Sequence, residues 1–152
     1  MPYWRLFYHI VWATKKRQAF ITPAIESSLY RVIIGKADTL NCYLFAINGM
    51  PDHIHLVASI LPALSIPEFI RHVKGSSSRH VHLEYGVEFT WQPGYGIFSV
   101  STHSLKKAIA YVDAQKTHHT QGTIIEPYER CTNDNNGPQM IPHNHLINET
   151  PD

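Results

Sequence analysis

The chain is poor in the residues that would settle its class quickly. Among 152 residues there are two cysteines, Cys42 and Cys131. They form no C-x-x-C pair and no disulfide framework, which excludes a bridge-stapled secreted scaffold and fits a reducing cytoplasm. Charged residues make up only 16%, and the formal net charge is +1. No whole-chain positive field therefore marks a nucleic-acid partner; a DNA binder of this composition has to gather its basic residues locally. No apolar run reaches the ~20 residues of a membrane helix, so no membrane partner is expected. The opening stretch MPYWRLFYHIVWATKK is apolar, but it alternates and carries Arg5. Without a basic n-region or a small-residue cleavage site it reads as a strand, not a signal peptide.

What is present is a core and an excess of histidine. Hydrophobic residues are 43% of the chain, enough for one domain with a real interior. There are eleven histidines, several of them in pairs: His53/His55, His80/His82, His118/His119 and His143/His145. The pair at 53 and 55 lies inside an apolar run, GMPDHIHLVAS. On a strand, side chains alternate, so both imidazoles share one face while Ile54 and Leu56 point to the other, into the core. The pair at 118–119 reads as a helix end, where histidine suits the dipole, and the one at 143–145 as tail.

The elements follow from pattern. Residues 4–13, WRLFYHIVWA, are aromatic and β-branched, as strands are. A basic loop, KKRQAF, leads to Thr22-Pro23, a helix start, with helical spacing of Ile25, Leu29, Val32 and Ile33 to about Leu40. Residues 42–49 read as a second strand, NGMPD as a turn, and HIHLVASI as a third strand paired with it. Ser65-Ile66-Pro67-Glu68 matches a capping box, opening a helix to roughly Gly75, or as far as Leu83. A fourth strand is expected at 95–101 and a last helix at 104–119, with Leu105, Ile109 and Val112 as its apolar stripe. The order β-α-β-β-α-β-α predicts an α+β, ferredoxin-like (RRM-like) fold. That is a four-stranded antiparallel sheet with helices on one face, plus a C-terminal helix. The domain is expected over residues 1–126, with 127–152 as a polar, turn-rich tail.

The last helix carries a second pattern. Tyr111 and Gln115 are four apart and share a face. At roughly 100° per residue, Tyr111 lies about 120° from the centre of the apolar stripe, so it is not an obvious core residue. His53, His55 and the Gln115 amide oxygen can ligate one divalent ion while leaving positions open for substrate. A tyrosine one turn from a ligand can reach a phosphate held there. With an ordinary pKa near ~10 it needs such help to act as a nucleophile.

The stretches MPDHIHLV, FIRHVKGSSS, WQPGYGIFSVS and AYVDAQ resemble the single-tyrosine HUH transposases of bacterial insertion sequences and their relatives associated with repetitive extragenic palindromes. The resemblance runs from about Tyr8 to His119. It places His53, Ile54 and His55 on the family's His-hydrophobic-His motif, and Tyr111 and Gln115 on its Tyr-x-x-x-Gln helix. It implies a transposase acting on single-stranded DNA, with a hairpin recognised at the element's end. Tyr111 would attack a backbone phosphate, forming a 5′-phosphotyrosine and releasing a 3′-hydroxyl. His53, His55 and Gln115 would hold Mg²⁺ or Mn²⁺, and a homodimer would be the working unit. Lys15, Lys16 and Arg17 in one loop, with Arg71 and Lys74 on the second helix, would contact the DNA backbone. Trp91 and Tyr95 would stack on unpaired bases.

Two other readings compete. A ferredoxin-like sheet can bind single strands or hairpins without cutting them, as a decayed transposase would. A small phosphoesterase can also use His-x-His, but position 57 is Val and no further Asp/His set for a binuclear site is evident.

Overall fold

A computed structural model of the chain describes residues 2–131. Four strands, β1 (Phe7–Ala13), β2 (Tyr43–Met50), β3 (His53–Ser59) and β4 (Gly96–Val100), form one sheet in the order β2-β3-β1-β4. Every neighbouring pair is antiparallel. Helices α1 (Pro23–Thr39) and α2 (Ile66–Tyr85) make the two crossovers and pack against each other. This is the ferredoxin-like arrangement expected from the element order.

The first face of the sheet carries the main core. Ile10, Trp12, Ile54, Leu56 and Ala58 meet Ile25, Leu29 and Ile33 of α1 and Phe69, Ile70, Val73 and Val81 of α2. Ile54 and Leu56 thus face the helices, as period two requires. The Ser65 hydroxyl caps α2 by accepting from Glu68 N at 3.3 Å, and Gly86 ends it in the left-handed region at φ 61. The helix runs past Gly75 to Tyr85 because Val81 still reaches the core. Ser28 on α1 and His80 on α2 are tied at 2.6 Å, so this histidine joins the two helices.

Two local expectations change. Asn48, Gly49 and Met50 belong to β2, and the turn is only Pro51-Asp52. Gly49 is needed for close packing across the ladder, since a Cβ there would run into His53 O and Ile54 Cα. Trp91 is no open stacking platform. It is buried, donates its indole N–H to Ser77 Oγ at 2.9 Å and stands edge-on to Trp12 and Phe89. Tyr95 lies half-buried against the same core. No helix among the described residues is long and apolar enough to cross a membrane.

The second face is covered as well. Helices α3 (Leu105–Asp113) and α4 (Gln115–Gln121) lie over β2 and β3, and a 3-10 turn at Glu126–Glu129 lies over β1 and β4. The expected single helix over 104–119 is broken at Ala114, with no glycine or proline to announce it. The expected boundary at 126 falls inside folded chain, since Tyr128 and Cys131 pack on the second face. The rest of the tail expected over 127–152, including His143 and His145, lies outside the described residues.

The main core predicts its own test. Phe69 is fully buried between the helices and the sheet. Phe69→Ala should lower the unfolding free energy by about 3–5 kcal/mol in chemical denaturation. A loss under about 1 kcal/mol would contradict this packing.

Candidate active site

β3 brings His53 and His55 to the second face, and the cover brings everything else to them. Both are buried, at 2% and 0% exposure. His55 Nε2 lies 2.9 Å and His53 Nε2 3.1 Å from the same oxygen, Glu129 Oε2. The other oxygen, Oε1, accepts from the Tyr111 hydroxyl at 2.6 Å and from Gln115 Nε2 at 3.4 Å. One carboxylate therefore touches all four residues singled out in the sequence. His119, one helical turn after Gln115, brings its Nε2 to 3.5 Å from Glu129 Oε2 and stacks toward His53.

The far nitrogens of the two imidazoles are also engaged. His53 Nδ1 is 2.7 Å from Asp52 Oδ1, and His55 Nδ1 is 2.8 Å from His9 Nε2. Thr14 fixes the turn that carries Asp52, bonding Asp52 O through both its amide and its hydroxyl. Arg17 bridges this turn to the cover, with Nη1 at 3.6 Å from Asp52 Oδ2 and Nη2 donating to Glu129 O at 3.4 Å.

Tyr111 is buried rather than surface-facing, because residues 125–129 fold over it. Its hydroxyl donates to Glu129 and accepts from Ile125 N at 3.0 Å. Burial and the Glu129 carboxylate push it up to about 12, so the phenol holds its proton. Burial alone would raise Glu129, but hydrogen bonds from His53 and His55 hold it well below the usual carboxylate range. Burial works against charge on both histidines. For His53 the contacts with Glu129 and Asp52 outweigh it and the pKa rises; for His55 burial wins and the pKa falls. Burial, then the neighbouring His55, pushes His9 down to about 3, so this ring is neutral.

The donor set fits a divalent cation. His53, His55 and Glu129 offer ligand atoms within 4.8 Å of one another. Among the described residues, the buried atoms without a hydrogen bond include Gln115 Oε1 and His119 Nε2, on the two α4 residues that approach Glu129. Nitrogen and oxygen donors of this mix suit Mg²⁺ or Mn²⁺ poorly to moderately on the imidazole side and well on the oxygen side.

The basic residues separate. Lys15, Lys16 and Arg17 form a 3-10 turn at the edge of the site, with Lys16 and Arg17 both at positive φ (54 and 52). Arg71 is exposed on α2, in the helical layer across the sheet. Lys74 donates to Gln92 O and Gly94 O at 2.9 and 2.7 Å, and burial pushes it down to about 8. His9, Asp52 and Glu129 join the site without any expectation from the sequence; His118 and His119 lie in the last turn of α4 as expected, and His119 also reaches Glu129. Only His119 carried a local signal, the i, i+4 step from Gln115.

A ferredoxin-like sheet bearing two strand histidines under a tyrosine helix defines the class: a single-tyrosine transposase fold. The family model described as "Transposase IS200 like" matches residues 2–115, and the chain belongs to this family. It is 28% identical over 120 residues to the ISDra2 transposase TnpA of Deinococcus radiodurans, covering 74% of this chain and 85% of that protein. It is 31% identical over 114 residues to the insertion sequence IS200 transposase of Salmonella typhimurium, covering 68% of this chain and 72% of that protein. Among solved structures, a Deinococcus radiodurans transposase superimposes with a TM-score of 0.62 at 27% identity, over 76% of this chain and 95% of that one. A REP-associated tyrosine transposase bound to a REP hairpin shares the fold, with a TM-score of 0.60 at 14% identity over 82% of this chain and 76% of that one. The chain is thus a transposase, a DNA strand transferase by class. Glu129 lies beyond the matched residues.

The cover can be loosened from β4 by a substitution outside the site. A Cβ on Gly96 would collide with Arg130 O, one residue after Glu129. Gly96→Ala should therefore lift the 125–130 segment and speed hydrogen exchange at the Ile125 amide, leaving exchange in α1 and α2 unchanged. Unchanged exchange at Ile125 would contradict the packing of this segment on β4.

Proposed function

We propose that this transposase cleaves and rejoins single-stranded DNA through a covalent 5′-phosphotyrosine on Tyr111, at sites set by a hairpin at the element's ends. The observation that carries the reading is the single carboxylate of Glu129, which touches the Tyr111 hydroxyl, both histidines and Gln115. His53, His55 and Gln115 would hold Mg²⁺ or Mn²⁺, which supplies Lewis-acid polarisation of the phosphate when bound.

The residues of this chain would do the rest. Tyr111 holds its proton until its oxygen attacks, and only then does the proton move along the one hydrogen bond it donates, to Glu129 Oε1, which relays it within the same step. Its oxygen forms a bond to phosphorus as the bond from phosphorus to the 3′-oxygen breaks. The proton returns to the departing 3′-oxygen, giving a 3′-hydroxyl and leaving the 5′-phosphate on Tyr111. Rejoining is the reverse, with a 3′-hydroxyl attacking the phosphotyrosine, so no outside energy is needed. Asp52 keeps His53 oriented, and Arg17 holds the turn that carries Asp52. Lys15, Lys16 and Arg17 border the site and would meet DNA phosphates there, whereas Arg71 and Lys74, on α2 in the layer across the sheet, would meet phosphates only away from the site. The working unit would be a cytoplasmic homodimer.

A second reading, a hairpin binder that does not cut, is favoured by one observation. The Tyr111 hydroxyl is already engaged as donor and as acceptor by the 125–129 segment.

Incubation with labelled single-stranded DNA from the flanks of its gene and Mn²⁺ should give an SDS-resistant protein–DNA band. Tyr111→Phe should abolish the band, and His53→Ala should lower its yield by about 10²-fold or more. A band that survives Tyr111→Phe would overturn the nucleophile. A metal-independent gel shift with no band would favour the binder.

A further inference from the structure

An imidazole can present only one nitrogen to a cation, and the bond made by its other nitrogen decides which. His53 and His55 both present Nε2 to the same point, 3.1 and 2.9 Å from Glu129 Oε2. Their Nδ1 atoms have unlike partners. For His53 it is the Asp52 carboxylate at 2.7 Å. A carboxylate only accepts, so Nδ1 carries the proton and Nε2 keeps its lone pair. For His55 the partner is His9 Nε2 at 2.8 Å, another imidazole, which can donate or accept.

His9 reaches His55 through the sheet register. Across the β1–β3 ladder His9 pairs with Val57 and Val11 pairs with His55, so the two rings are diagonal neighbours on one face. His9 is 1% exposed and enclosed by Phe98, Tyr111 and Tyr128, at centroid distances of 6.0, 5.9 and 4.8 Å. Its own Nδ1 has no partner. An aromatic cage of this kind would be satisfied better by an apolar side chain, because a buried polar atom left unpaired is a cost. What the imidazole offers there is the bond to His55.

We propose that His9 is a positioning residue for the metal site: when a cation takes the place of Glu129 Oε2 at His55 Nε2, His9 Nε2 accepts the proton on His55 Nδ1 and thereby turns the His55 Nε2 lone pair onto the cation position. Its part for His55 is the part Asp52 has for His53. This rests on the reading of His53 and His55 as metal ligands.

The test is Mn²⁺ binding, followed by calorimetry and electron paramagnetic resonance, on wild type, His9→Leu and His9→Gln. Leucine fills the cage but cannot accept, whereas the glutamine amide oxygen can. His9→Leu should weaken Mn²⁺ by about 10–100-fold, and His9→Gln should stay within about threefold of wild type. Wild-type affinity in His9→Leu, or equal weakening in both variants, would overturn the proposal while leaving the ligands in place. No Mn²⁺ uptake by wild type would overturn the metal reading itself, and the proposal with it. Should His9→Leu fail to fold, imidazole ¹⁵N spectra of the Mg²⁺-loaded wild type decide alone. A proton on His55 Nδ1 supports the assignment, and one on Nε2 overturns it.

Discussion

A carboxylate oxygen shared between two buried imidazole nitrogens needs either N–H donors on both rings or a cation at the meeting point. With both histidines neutral and their Nε2 lone pairs facing Glu129, the arrangement would be repulsive. Protons on the rings or a cation among them makes it attractive. Glu129 Oε2 sits 2.9 and 3.1 Å from the two nitrogens, at only 13% side-chain exposure, so water does little to relieve that demand. Against burial, the Glu129 and Asp52 carboxylates push His53 up, whereas burial pushes His55 down, so protons alone serve the two rings unequally. A divalent ion meets it with both rings neutral, which is also the state burial favours for His55 and His9.

The rest of the fold is arranged around that point. β3 is buried on both faces, and its period of two divides the work: Ile54 and Leu56 anchor it to the helical core, while His53 and His55 are held on the far side. A strand packed this way cannot slip register without burying the imidazoles in the apolar core, so the positions of their nitrogens are set by the whole sheet. The other residues of the site come from elsewhere. Tyr111 is carried by α3, Gln115 and His119 by α4, and Glu129 by the 3-10 turn, joined to one another by few contacts beyond those at the site.

Much of this was legible in the chain. The element order, the two strand histidines and the Tyr111–Gln115 step all follow from local periodicity, which the tertiary fold respects. What was not legible depends on contacts between distant segments. Glu129 sits in a polar stretch 74 residues from His55, and nothing in that stretch says it folds back. His9 alternates with Ile10 like any strand residue, and only the β1–β3 register makes it a neighbour of His55. Asp52 read as part of a turn, and it is one; its second task appears only when the turn is closed by Thr14. Trp91 looked like a surface aromatic in a loop because no spacing reveals that Ser77 waits for its indole N–H. The break at Ala114 had no breaker residue to announce it.

The central claim is that one cation position is defined by both strand histidines. The most direct measurement is pulsed electron paramagnetic resonance of Mn²⁺ added to protein labelled with ¹⁵N at histidine. The account predicts one ion per chain, with hyperfine coupling to two imidazole nitrogens, one of them lost in His53→Ala and the other in His55→Ala. A spectrum of fully hydrated Mn²⁺, or bound Mn²⁺ with no imidazole coupling, would contradict it.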